Sequence, residues 1–220
     1  MSGVGIDAAT RDARRRIRIV AILDGAERAG ITPLPLLQLH TIAYFADALA
    51  PVWDLRILDA QLLKRRAGPM SPVLQAEVDR LVGRGVLIPS SVRHVLDDAE
   101  WRLEACYRLN LELADPILSA ANSFEFQAKH LAFVREVVYS VSSLGASGID
   151  TASTSDASYG SVMVDTGGLV DIEGDAGEPN ETARVALRFG ELMQSDISLT
   201  DSEMVHLYVR ELYNRMTRVA

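Results

Sequence analysis

One cysteine in 220 residues, Cys106, excludes an internal disulfide and any cysteine-built zinc cluster. Long apolar runs are equally lacking: none approaches the ~18–20 residues that a membrane-spanning helix needs. The first residues, Met1 to Asp7, do not show the basic-then-apolar order of a secretory leader, so a cytoplasmic chain is the expectation. No glycine-rich loop ends in Lys-Ser/Thr, which excludes a phosphate cradle of the NTPase kind. The acidic set Asp165, Asp171, Glu173 and Asp175 lacks the glycine and terminal glutamate of a calcium loop at the required offsets. Ser158-Tyr159-Gly160-Ser161 has no His/Asp partner set beside it. His40 has no second ligand at metal spacing and reads as a core-edge residue. These absences predict no cofactor and no catalysis.

Apolar residues make up 48% of the chain, enough for a packed core and too many for a disordered one. The net charge of −8 argues against wholesale binding to nucleic acid, but the charge is unevenly spread. Residues 1–110 hold 15 Lys/Arg against 13 Asp/Glu, and residues 111–220 hold 7 against 17. A polyanion should therefore meet the first half, and the acidic half better suits a basic protein surface.

Helical spacing is clear in several places. Thr10 can cap a first helix whose buried stripe is Ile19, Ile22, Leu23 and Ala26, although Asp24-Gly25 interrupts it. Its early turns carry Arg11, Arg14, Arg15, Arg16 and Arg18, and Arg14, Arg15 and Arg16 are candidates for docking an acidic partner. Leu37, Thr41, Tyr44, Phe45 and Ala48 mark a second helix, stopped by Pro51. Ser71-Pro72 opens a third, with Leu74, Val78, Leu81 and Val82 on one face and Gly85 at its close. Val86–Ile88, Val92–Val95 and Trp101–Leu109 then read as wing strands, with Asp97-Asp98 at the turn. The predicted architecture is mainly α with a small β-wing. A winged-helix module over 1–110 precedes an acidic, mainly helical region over 111–220, with a Gly/Ser/Asp-rich loop at about 145–180.

In that second region Phe126, His130, Phe133, Val134, Val137, Val138, Val141 and Leu144 mark a long helix. Thr200-Asp-Ser-Glu203 is a capping box for a final one, with Met204, Leu207, Tyr208, Leu212 and Met216 along a stripe. Tyr208 and Tyr213 are candidates for partner docking, because tyrosine suits half-wet contacts. Lys64-Arg65-Arg66, just before the third helix, is the best candidate for contact with DNA phosphates or a partner, with Arg80 and Arg84 beside it. Glu77 and Asp79 on the same helix argue against sequence-specific readout.

A wider pattern runs through Val20-Ala-Ile-Leu-Asp24, Pro35-Leu36-x-x-Leu39-His40-x-x-Ala43-Tyr44-x-x-Asp47 and Lys64-Arg65-Arg66-x-Gly68-Pro69. It continues in Leu74-Gln75-x-x-x-Asp79-Arg80-Leu81-Val82, Tyr107-x-Leu109, Ala157-Ser-Tyr159, Val164-Asp165, Val170-Asp171 and His206-Leu207-Tyr208-Val209. Together these segments resemble the middle components of bacterial three-component ABC systems, including the small subunit of Lamassu-type anti-phage defence. The resemblance implies a non-catalytic adaptor between an SMC-like ABC ATPase and an effector that is often a nuclease, with DNA met mainly through the complex. The alternative is a free-standing winged-helix transcriptional regulator, which would be expected to show a basic recognition helix.

Overall fold

The computed structural model describes residues 8–97, 100–160, 164–174, 178–192 and 198–218. The described chain is mainly helical with two small antiparallel sheets. Helix α1 (Ala8–Arg28) is followed by a two-residue strand β1 (Leu34–Pro35), helix α2 (Leu36–Ala48), a 3-10 turn (Ala50–Trp53), and strands β2 (Gln61–Arg65) and β3 (Gly68–Met70). Then come α3 (Pro72–Gly83), β4 (Leu87–Asp97), β5 (Glu100–Leu109), α4 (Leu111–Asn122), α5 (Glu125–Ser142), α6 (Gly145–Ala152), β6 (Leu169–Asp171), α7 (Glu181–Leu192) and α8 (Asp201–Arg218).

Helix α2 is the centre of the fold. Every residue from Gln38 to Ala48 is buried, which is what an all-round apolar helix demands. Helices α1, α5 and α6 pack on it, with α4 against α1 and α8 against α5. Asp24-Gly25 does not interrupt α1. A Cβ at Gly25 would lie 3.1 Å from the Val138 side chain, so glycine there lets α1 and α5 approach closely. Thr10 lies inside the first turn of α1, not at a cap. The buried residues form one continuous cluster that crosses residue 110, from Ile19 and Phe45 to Phe133, Val209 and Leu212.

One sheet has the order β1-β5-β4 and the other β3-β2-β6, all antiparallel. The two segments expected at Val86–Ile88 and Val92–Val95 form one strand, β4, with a bulge between Ser90 and Arg93. Ser91 takes a left-handed φ of 51° at that bulge, and Pro89 is tolerated because β4 is the sheet edge. Ser71 caps α3 as expected, its hydroxyl accepting the Leu74 amide at 3.2 Å. The capping box of α8 also forms: Thr200 N–H donates to Glu203 at 2.7 Å, and Glu203 N–H donates back at 3.3 Å. The expected loop at about 145–180 contains α6 and β6. Part of it, including Ser161 and Asp175, lies outside the described residues, as does Asp98.

Candidate binding face

Arg15, Arg16 and Arg18 of α1 are committed to carboxylates of this chain. Arg15 is buried, its guanidinium donating to Asp59 at 2.6–3.1 Å and to Asp12 at 2.7 Å. Arg18, fully buried, donates to Asp47 at 2.6 Å, and Arg16 donates to the buried Glu77 at 3.0 Å. Arg14 lies 4.9 Å over the Phe126 ring. The reason is electrostatic: Asp47, Asp59 and Glu77 are desolvated by packing against α1 and need a cation each. Arg14, Arg15 and Arg16 therefore do not form the open docking run that their spacing suggests.

Nor do the other cations form one patch. Lys64 and Arg65 are successive strand residues and so point to opposite faces of β2. The Lys64 ammonium lies 5.9 Å over the Tyr159 ring. The Arg65 backbone is pinned by the Tyr159 hydroxyl, which accepts its N–H and donates to its carbonyl, each at 3.2 Å. Arg66 is exposed in the β2–β3 turn, and Arg84 is exposed at the C-cap of α3. Arg80 is bound to Glu77 and lies 3.7 Å from Asp12. Glu77, expected on the surface to repel phosphates, is buried between Arg16 and Arg80 and neutralised there.

Between the start of α2, the β2–β3 hairpin, α3 and β5 lies a half-enclosed cleft of about 340 Å³. Arg65 is the one member of the basic triplet that lines it. His40 forms part of its inner wall, fully sequestered. Its Nδ1 accepts the Ser71 amide at 3.3 Å, which leaves Nε2–H to donate to Gln75 at 3.2 Å. Gln75 in turn donates to Asp79 at 2.9 Å. Burial pulls His40 down to about 4; the bond to Gln75 opposes that fall and Arg65 adds to it. His40 is thus a neutral, positioned core-edge residue. Burial, then the charges of Asp79 and Cys106, push Tyr107 above its ordinary range on the opposite wall.

Beyond the cleft the β4–β5 hairpin runs out with an apolar face. Leu96 pairs with Trp101 and His94 with Leu103, so Leu96, Trp101 and Leu103 share one side with Val92. Their exposures are 57%, 70%, 55% and 56%. Contiguous exposure of this kind marks an interaction surface more often than solvent-facing packing. The strand bearing Val92 and Leu96 is also the free edge of its sheet.

Tyr208 is not on any surface. It is 1% exposed, and its hydroxyl, with that of Tyr44, donates to the buried carboxylate of Asp156. Thr182 Oγ1 donates to the same oxygen as Tyr44, at 2.8 Å, and the Ser158 and Tyr159 amides add bonds at 2.9 and 3.2 Å. Burial, then the Asp156 charge, push both phenols well above their ordinary range. This joint fastens α8 and α7 to α2. Tyr213, by contrast, is exposed beside His206 and Arg210 at a shallow hollow between α8 and the α5–α6 turn. Asp156 gave no signal in the sequence, because its partners lie 26, 52 and 112 residues away.

Comparison with protein-family models, with curated proteins and with solved structures returned no match. Among the described residues no group of three or more His, Cys, Asp or Glu side chains is placed to hold a metal ion, and no helix is long and apolar enough to cross a membrane.

Proposed function

We propose that this chain is a non-catalytic adaptor that docks proteins through a winged-helix module. The element order α1-β1-α2-α3-β4-β5 and the sheet order β1-β5-β4 support the winged-helix reading, with β2 and β3 inserted before α3. The observation that carries the docking role is the exposed apolar face of the β4–β5 hairpin beside an α3 whose Arg80 is engaged by its own carboxylates. A DNA reader needs cations facing outward on that helix and a polar wing at the phosphates. This hairpin offers Trp101 instead, a residue type that anchors protein interfaces, with Leu96 as exposed apolar surface beside it.

With the sequence resemblance, the partners are an SMC-like ABC ATPase and an effector, often a nuclease, acting in the cytoplasm in anti-phage defence. DNA is met mainly through the complex. The test is co-expression with an SMC-like ATPase encoded beside this chain, followed by capture of either partner. Co-purification that Trp101→Ser abolishes supports the adaptor. Tight, sequence-selective binding of the isolated chain to duplex DNA, unaffected by Trp101→Ser, favours the transcriptional regulator.

A further inference from the structure

We infer that the cleft between α2, the β2–β3 hairpin, α3 and β5 is a binding site for an amphipathic carboxylate: an aliphatic or aromatic body ending in a carboxylate group. Its volume of about 340 Å³ falls in the range of small-ligand pockets, roughly 300–1,000 Å³. Leu36, Leu37, Met70 and Leu103 supply apolar wall, suited to a hydrocarbon body. The charged groups facing it are Arg65, Arg102, Asp79 and Glu104. Glu104 is taken up by Arg93 and Arg102, at 3.1 and 2.9 Å. Asp79 stands at the exposed rim, already accepting the Gln75 amide.

Arg65 is the group left over. Among the described residues its guanidinium has no side-chain partner, while its backbone is fixed at both N–H and C=O by the Tyr159 hydroxyl. A half-buried guanidinium on a rigid root is preorganised for a carboxylate, which it can meet with two parallel bonds. A second feature has the same sign. Leu36 and Leu37 are the first two residues of α2, and no side chain caps that helix, so its positive end lies at the cleft wall. A cationic ligand would face both. An anion without a hydrocarbon body, such as phosphate, would meet Arg65 but leave the leucine wall uncovered.

Two sources share this chemistry: a free small acid, and the C-terminal residue of another protein. The site does not depend on the adaptor reading. Its test is calorimetric titration of the full chain with octanoate, octylamine and octanol, and with acetyl-Ala-Ala-Leu as free acid and as amide. At least one acid should bind roughly tenfold or more tighter than its uncharged or cationic counterpart, the effect of one charge-assisted contact. Arg65→Gln should erase that preference without changing thermal stability, and Leu37→Trp, which fills the apolar end, should weaken every ligand. Octanoate binding tighter than the peptide acid assigns the site to a small molecule, and the reverse order assigns it to a protein terminus. Failure of both acids to bind, counterparts (octanol, octylamine, the peptide amide) that bind as tightly as the acids, or an acid preference that survives Arg65→Gln overturns the assignment. Partner capture through the hairpin is measured separately, so either idea can fail alone.

Discussion

At Asp156 five donors from α2, α7, α8 and the segment before Gly160 converge on one buried carboxylate. At the β4–β5 hairpin, four large apolar side chains stand more than half exposed. The joint is polar where packing would favour oil, and the hairpin is apolar where it meets water. Each departs from the ordinary partition, and the two departures have different meanings. A buried carboxylate with every oxygen occupied fixes how the last two helices sit on α2, because a neighbouring arrangement would leave donors unmet. The base of the hairpin belongs to the core through Leu87, Ala105, Tyr107 and Leu109, whereas its outer part leaves large apolar side chains in water, the mark of a surface open to contact. Residue type alone does not tell them apart: Tyr208 serves the interior, and Trp101 faces outward.

The largest effect expected from breaking this contrast is at the joint. Asp156→Ala leaves the Tyr44, Tyr208 and Thr182 hydroxyls without their acceptor in a dry site, and should cost about 3–5 kcal/mol. Thr182→Val, which removes a single donor, should cost about 1 kcal/mol. Urea unfolding followed by circular dichroism measures both. An Asp156→Ala loss below that of Thr182→Val would mean the carboxylate does not organise the joint.

Acid sharpens the comparison from the side of the core. Burial holds His130 at about 3, with the Arg18 and Arg14 charges adding to the fall, and holds His40 at about 4. Both folded values lie below the ordinary 6.5. The unfolded chain therefore takes up protons that the folded chain refuses. Stability from these groups is complete above about pH 6.5 and is lost as pH falls towards 4 and then 3. His130→Leu should reduce the slope of stability against pH between 6.5 and 4 by one bound proton, as read from urea midpoints across that range. An unchanged slope would mean that His130 is charged in the folded chain.

How much of this was legible follows the same division. α2, α3, α5 and α8 announce themselves because one-sided or all-round apolar spacing and caps such as Ser71 and Thr200 are local signals. α4 hides behind Pro116, and α6 behind Gly145-Ala-Ser-Gly148, although a Cβ at Gly148 would lie 2.8 Å from the Leu144 side chain. The basic triplet was visible as charge, but not that β2 sends Lys64 to Tyr159 and Arg65 to the cleft. Pairings such as Arg15–Asp59 and Arg16–Glu77 span 44 and 61 residues, and no spacing rule reaches so far. The hairpin was legible as strands, because Trp101 and Leu103 alternate with polar neighbours, but not that its apolar side stays exposed, and only the register shows that Leu96 joins them.

At the hairpin the expected effect on folding is small and that on association is large. Trp101→Ser and Leu96→Ser should leave unfolding within about 0.5 kcal/mol of the parent chain, as surface substitutions generally do. Each should weaken capture of a protein partner by roughly tenfold or more if it is an anchor. Stability that drops by about 2 kcal/mol would show instead that the face packs on this chain itself.

The smallest effect is expected at Tyr213, where the two kinds of region come closest together. Met204, Tyr208 and Leu212 turn the stripe of α8 inward, so the helix is held by its own core and by the Asp156 joint. Tyr213 lies off that stripe and is 47% exposed, flanked by His206 and Arg210. His206 is engaged by Glu136 of α5 at 3.1 Å, so one wall of the hollow is already committed to the fold. A single tyrosine over a shallow, partly charged hollow offers far less apolar area than the four side chains of the hairpin. Tyr213→Asp should therefore change stability by less than about 0.5 kcal/mol and reduce partner capture less than Trp101→Ser does. Side-by-side pull-downs with the two variants decide the matter. If Tyr213→Asp abolishes capture and Trp101→Ser spares it, the docking surface lies on α8, and the apolar hairpin needs another explanation.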